Sequence, residues 1–129
     1  MPRKKSPTLT EAELRLMKVL WDRNPATVEE VNRALPHRLN LAYNTVLTTL
    51  RILEQKGYLK RTKRGRAHVY APVVDRHSAR RSALKHIISR FFDGSPELLM
   101  QNLLEDDHLD PDELARLRQL LEEQDERGQ

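Results

Sequence analysis

Cysteine is absent from this 129-residue chain, which excludes a disulfide framework, a thiolate metal site and a cysteine nucleophile. Aromatic residues are scarce at 5% while charged residues reach 33%, so any single core is thin, and chains of this kind often gain burial from a partner subunit. No apolar run approaches the roughly 20 residues of a membrane span, and the opening Met-Pro-Arg-Lys-Lys has no apolar stretch behind it. These features place the chain in the cytoplasm, without membrane insertion. Five histidines, at 37, 68, 77, 86 and 108, show no paired ligand spacing, and Glu105-Asp106-Asp107 lacks the pattern of a calcium loop. A glycine-rich phosphate loop, a nucleophile elbow and an acid–base pair are all missing. Neither an enzyme, a metal nor another cofactor is expected.

What the chain does have is charge, unevenly spread. Residues 1–72 carry a net charge of +9 and residues 73–129 a net of −5. A basic front half with an acidic back half points to a polyanion as the partner of the front, although such asymmetry can also be plain surface composition.

The front half is organised around Asn40 to Gly57. Val46, Leu47, Leu50 and Leu53 recur at helical spacing and form a core-facing side. Asn44, Thr45, Thr48, Arg51 and Gln55 lie roughly opposite, a polar face nearly free of acid and built from residues that hydrogen-bond base edges and phosphates. Asn40 is placed to cap the start of this helix and Gly57 to end it. Ahead of it, residues 1–8 read as a disordered basic arm. Thr10-Glu11-Ala12-Glu13 is a capping box opening a helix to about Arg23, expected to bury Leu14, Met17, Leu20 and Trp21. Thr27-Val28-Glu29-Glu30 repeats the box and opens a short helix with Val28, Val31, Ala34 and Leu35 apolar, stopped by Pro36; a turn through residues 36–40 follows.

After Gly57 the period becomes alternating. Residues 58–62 and 67–71 read as two short strands with Leu59, Val69 and Ala71 facing the core, joined by a tight loop at Lys63-Arg64-Gly65-Arg66. Lys60, Arg61, Lys63, Arg64 and Arg66 place five cations and no acid on this hairpin, which suits a negative neighbour. Three helices, the third with an open polar face, followed by a basic hairpin make a winged helix-turn-helix over residues 9–73. A helix fits the DNA major groove and the hairpin reaches flanking backbone, so Asn44, Thr45, Thr48 and Arg51 are the candidate base readers. Tyr43 and the five hairpin cations are the candidate backbone contacts. The rival for the same fold is a protein-interaction module of the transcription machinery.

Residues 74–124 read as helical, giving a mainly α chain with a small β-hairpin wing. Asp75 caps a helix to Phe92 with Leu84, Ile87, Ile88 and Phe91 on one face; Ser95-Pro96-Glu97 starts a short segment; Asp110-Pro111-Asp112-Glu113 is a third capping box leading a helix with Leu114, Leu117, Leu120 and Leu121. Residues 125–129 read as a frayed tail. Each large apolar side chain left in water forgoes roughly 1.5–3 kcal/mol, so this tail either folds back on the front half or pairs with its copy. Pairing is favoured, because the front helices already use their apolar faces. A two-fold homodimer also matches a pseudo-palindromic operator on double-stranded DNA.

The segments Leu9 to Trp21, Ala42-Tyr43-Asn44-Thr45-Val46-Leu47-Thr48-Thr49-Leu50-Arg51-Ile52-Leu53-Glu54-Gln55-Lys56-Gly57, and Arg66 to Pro72 together resemble the penicillinase and methicillin-resistance repressors (BlaI/MecI), with CopY-type copper repressors as relatives. The resemblance implies a dimeric winged-helix repressor whose C-terminal helices form the dimer, here through Leu84, Ile87, Ile88, Phe91, Leu114, Leu117 and Leu121. It implies operator reading by Asn44, Thr45, Thr48 and Arg51. In antibiotic-responsive members a membrane sensor-protease system triggers cleavage of an Asn-Phe bond; the matching bond here is Asn102-Leu103, with leucine in place of phenylalanine. The copper-sensing branch uses a cysteine cluster, which this chain lacks.

Overall fold

A computed structural model of the chain describes residues 8–105 and 109–127, with side chains up to residue 124. The expected arm therefore lies outside the described residues except for Thr8. The order of elements is α1 (Glu11–Asp22), β1 (Ala26–Thr27), α2 (Val28–Ala34), a 3-10 turn (His37–Leu39), α3 (Tyr43–Gln55), β2 (Leu59–Arg64), β3 (Ala67–Pro72), α4 (Arg76–Phe91), α5 (Pro96–Glu105) and α6 (Pro111–Arg127). The chain forms two compact units, Met1–His86 and Ile87–Gln129.

In the first unit both capping boxes close as the sequence indicates. The Thr10 amide donates to Glu13 Oε1 at 2.8 Å and the Glu13 amide to Thr10 Oγ1 at 3.2 Å; the corresponding Thr27–Glu30 bonds are 3.0 and 3.1 Å. Leu16, Met17 and Leu20 of α1, Val28 and Val31 of α2, and Val46, Leu50 and Leu53 of α3 pack with Leu35, Leu59 and Tyr70 into one buried core. Helical phase corrects the expectation for α1. Leu16 takes the core position, while Leu14 and Trp21 are half-buried, forming with Lys18 a separate stripe one face over.

The end of α3 is a Schellman motif. The Tyr58 amide donates to the Leu53 carbonyl and the Gly57 amide to the Glu54 carbonyl, both at 3.0 Å, with Gly57 at φ 87°. Its start differs from the expectation. Asn40 does not cap α3; it takes the left-handed conformation (φ 44°) that ends the 3-10 turn, and Ala42 stands at the N-cap with no side-chain hydrogen bond. Asparagine tolerates this backbone geometry better than most residues, so the turn claims it first.

The hairpin is longer and tighter than the sequence suggests. β2 pairs antiparallel with β3 from Leu59↔Pro72 to Arg64↔Ala67, leaving Gly65 (φ 64°) and Arg66 as a two-residue turn. A third strand, β1, pairs with the other edge of β3 through Ala26↔Tyr70 and Thr27↔Val69. β3 is therefore central in the order β1-β3-β2, and Tyr70 becomes fully buried while Ala71, expected in the core, is only half-buried.

The N-terminal half of α4 belongs to the first unit. Asp75 Oδ1 accepts from the Ser78 amide at 2.7 Å, capping the helix as expected and holding the Asp75 carboxyl below its usual range. The Trp21 indole Nε1 donates to the Val74 carbonyl at 3.0 Å, Arg76 pairs with Asp22 at 3.0 Å, and Ala79 is buried.

The second unit contains the end of α4 with α5 and α6. Ser95 Oγ caps α5 through the Leu98 amide at 3.3 Å, and Asp110 caps α6 through the Glu113 amide at 2.8 Å. α6 runs to Arg127, past the boundary expected at Asp125, because no proline or glycine interrupts it before Gly128. None of the described side chains of α5 and α6 is buried.

Candidate nucleic-acid interface

The polar face of α3 is open. Asn44, Thr45, Thr48, Arg51 and Gln55 are all exposed, and Tyr43 at the start of the helix is 51% exposed. Thr49 is half-buried and its hydroxyl donates to the Thr45 carbonyl at 2.9 Å. The first turn contains no acid and no side-chain cap. Its leading amides thus remain available to an anion, at the end of the helix where the backbone dipoles favour negative charge.

Beside this face, α3, the hairpin and the start of α2 enclose a cleft of about 360 Å³ that gathers Tyr43, Arg51, Arg61, Arg66 and His68, with Glu29 as its one acid, over Tyr70. The strand register explains the membership. Cross-strand partners share a face, so Arg61 lies with Tyr70 and Lys63 with His68, whereas Lys60 and Arg64 fall on the other face. The five hairpin cations are therefore divided between two faces. Arg61 lies 3.8 Å from Glu54 on α3, and Arg64 donates to Glu30 Oε1 at 2.9 Å. Glu30 already holds the α2 cap. The Thr27 amide and hydroxyl, followed by Arg64, keep its carboxyl below the ordinary range.

Two residues here were not singled out from the sequence. The capping pattern marks Glu30 only as a cap, yet it also ties the wing to α2. The Tyr70 hydroxyl is buried without a hydrogen-bond partner among the described residues, and the alternation of a two-stranded hairpin gave no sign that this side chain would be covered. His68 is exposed at the cleft. Among the described residues there is no group of three or more metal-ligating side chains and no helix long and apolar enough to cross a membrane.

The other predicted residues lie elsewhere. Leu84, Ile87, Phe91 and Leu121 are exposed, and Ile88, Leu114 and Leu117 are half-buried; Leu98, Leu104 and Leu120 add to the exposed apolar surface. Asn102 and Leu103 sit within α5, the first exposed and the second half-buried.

Comparison with known proteins agrees with this geometry. The chain is 34% identical over 120 residues to the penicillinase repressor of Bacillus licheniformis, covering 93% of this chain and 94% of that one. It is 23% identical over 113 residues to the methicillin resistance regulatory protein MecI of Staphylococcus aureus, covering 88% and 92%. The solution structure of the DNA-binding domain of the repressor BlaI superposes with a TM-score of 0.51 at 36% identity, covering 59% of this chain and 93% of that domain. A complex structure of hsRosR-S4 has the same fold, with a TM-score of 0.54 at 16% identity and coverage of 94% and 93%. Residues 9–123 match the penicillinase repressor family throughout, and the chain belongs to that family of winged-helix repressors, which are not enzymes.

Proposed function

We propose that this protein is a cytoplasmic transcriptional repressor that binds a pseudo-palindromic operator as a homodimer. The observation that carries this reading is the polar face of α3, whose first turn holds no acid, beside a cleft holding Arg51, Arg61 and Arg66. Asn44, Thr45, Thr48 and Arg51 read base edges, each good contact supplying about 1–3 kcal/mol of discrimination. Tyr43, Lys60, Arg61, Lys63, Arg64 and Arg66 contact the backbone and supply much of the salt-sensitive affinity. A protein-interaction module is the weaker alternative, because it gives no use to a cationic cleft against an uncapped helix start.

The second unit supports the dimer. Ile87 at 41%, Phe91 at 69%, Leu98 at 41% and Leu104, Leu120 and Leu121 at 56% exposure leave an apolar surface that a second copy would cover. Cleavage at Asn102-Leu103, triggered by a membrane sensor-protease, is the proposed route to derepression.

Footprinting on DNA upstream of its own gene and neighbouring genes, with random DNA as competitor, tests the reading. Protection of a two-fold-related site that survives the competitor is expected. Protection that disappears with competitor would leave only non-specific binding, and the protein-interaction alternative would then lead.

A further inference from the structure

The stripe of α1 that flanks its core-facing side does not end in solvent. Leu14, Lys18 and Trp21 face Arg76, Ala79 and Arg80 of α4 across a cleft of about 350 Å³, within the range of about 300–1,000 Å³ usual for small-molecule sites. Its walls are largely apolar, with Thr8, Leu9, Tyr58 and Ala83 completing the lining, and none of the lining residues is acidic. Trp21 is held in place by its bond to the Val74 carbonyl, with the Arg76 guanidinium 5.5 Å from its ring centroid. Arg76 is neutralised by Asp22. Lys18 and Arg80 are exposed and make no ion pair among the described residues. The result is a fixed aromatic wall, small alanine side chains that leave room, and two uncompensated cations at the edge.

We infer that this cleft is a binding site for a small aromatic carboxylate, its ring against Trp21, Leu14 and Ala83 and its carboxylate paired with Lys18 and Arg80. A neutral ring would gain the apolar contact but leave both cations unmatched. A phosphate or sugar would match the cations but leave the apolar walls wet. Only a compact apolar body with one anionic end satisfies both halves of the lining. The site lies wholly in the first unit and on residues that the DNA-binding face does not use, so it stands whether or not the repressor reading holds. An occupant would bridge α1 and α4 within this unit.

The chain has a single tryptophan, so the indole N–H gives one resolved signal in a proton–nitrogen correlation spectrum of the full-length protein. Titration with 1-naphthoate is expected to move that signal saturably, and 1-naphthamide to do so at least tenfold more weakly. Combining K18Q with R80Q should weaken the naphthoate response by about tenfold or more, as loss of charge-assisted bonds does, with the rest of the spectrum unchanged. A83L, which fills the cleft without altering charge, should abolish the response; A83S, which leaves the room open, should keep it. An equal response to the amide, or an undiminished response in the charge variant, would overturn the assignment. So would a charge variant that changes the oligomeric state while the signal ignores naphthoate, because the cleft would then be a subunit contact.

Discussion

Lys56 and Glu13 make the interaction whose removal should be felt most. Lys56 Nζ donates to Glu13 Oε1 at 2.7 Å, and the two side chains are 18% and 6% exposed. The same carboxylate accepts from the Thr10 amide, so one oxygen closes the start of α1 and receives the end of α3. Replacing Lys56 by methionine leaves a nearly buried carboxylate without its cation. Breaking a buried pair this way costs about 3–5 kcal/mol, and the partial exposure of Lys56 argues for the lower end. In a unit of this size about 3 kcal/mol corresponds to a fall in Tm of roughly 12–24 °C. Adding Glu13→Gln removes the stranded charge and keeps the cap, since glutamine serves at this position of a capping box. The double variant should therefore recover about 2 kcal/mol relative to Lys56→Met alone. Chemical denaturation of the four proteins completes the cycle. A loss below about 1 kcal/mol for Lys56→Met, the level of a surface pair, or strict additivity in the double variant, would refute this account.

Acidity offers a second reading of the same pair. Burial on its own raises the Glu13 carboxyl, but the hydrogen bonds from Lys56 and Thr10 outweigh it and hold the group below its ordinary value. A depressed folded value means that its stabilisation is fully present above the unfolded value, about 4.3, and is lost as pH falls through the folded one. Lys56→Met lessens that depression, so the stability gap between the wild type and this variant should narrow as pH falls below about 4. Calorimetric scans across that range would show it.

Other outcomes follow from the interface and the second unit. Thr48→Ala should narrow the gap between operator and random DNA, whereas Arg66→Ala should weaken both about equally; fluorescence anisotropy on the two DNAs separates these effects, and equal losses everywhere would remove the division of labour. Ile87→Asp or Leu117→Asp should give monomers with weak operator binding, and an unchanged mass in sedimentation would place the dimer interface elsewhere. Tyr70→Phe, which deletes an unpartnered buried hydroxyl, should leave stability unchanged or raise it by about 1 kcal/mol; a clear fall in Tm would mean that the hydroxyl has a partner. Gly57→Ala should cost about 1–2 kcal/mol, because the Schellman end of α3 needs its positive φ.

Local signals in the sequence were the readable ones. The capping boxes at Thr10, Thr27 and Asp110 close as written, because a threonine or aspartate and a glutamate three residues on meet in any helix start. The polar side of α3 followed from spacing alone. What escaped depends on distant partners. Glu13 looked like a cap, and nothing in its neighbourhood announces Lys56, 43 residues away. β1 is two residues long and carries no alternation of its own, so the burial of Tyr70 could not be foreseen. Asn40 is ambiguous in the sequence because a helix cap and a left-handed turn residue favour the same side chain.

The pairing of Arg64 with Glu30 bears on how the wing meets a charged partner. An arginine already satisfied by a carboxylate arrives at DNA as part of a neutral couple. Only one of its nitrogens is engaged, so its other donors can reach a phosphate, but the Glu30 carboxylate then stands close to the duplex. Each phosphate neutralised by a free cation adds about 0.9 to the slope of log affinity against log salt. Arg64 should contribute less than that share, so a count of five wing cations overstates the salt sensitivity of binding. Glu30→Gln would release the arginine while keeping the α2 cap, making the complex both tighter at low salt and more easily dissolved by it.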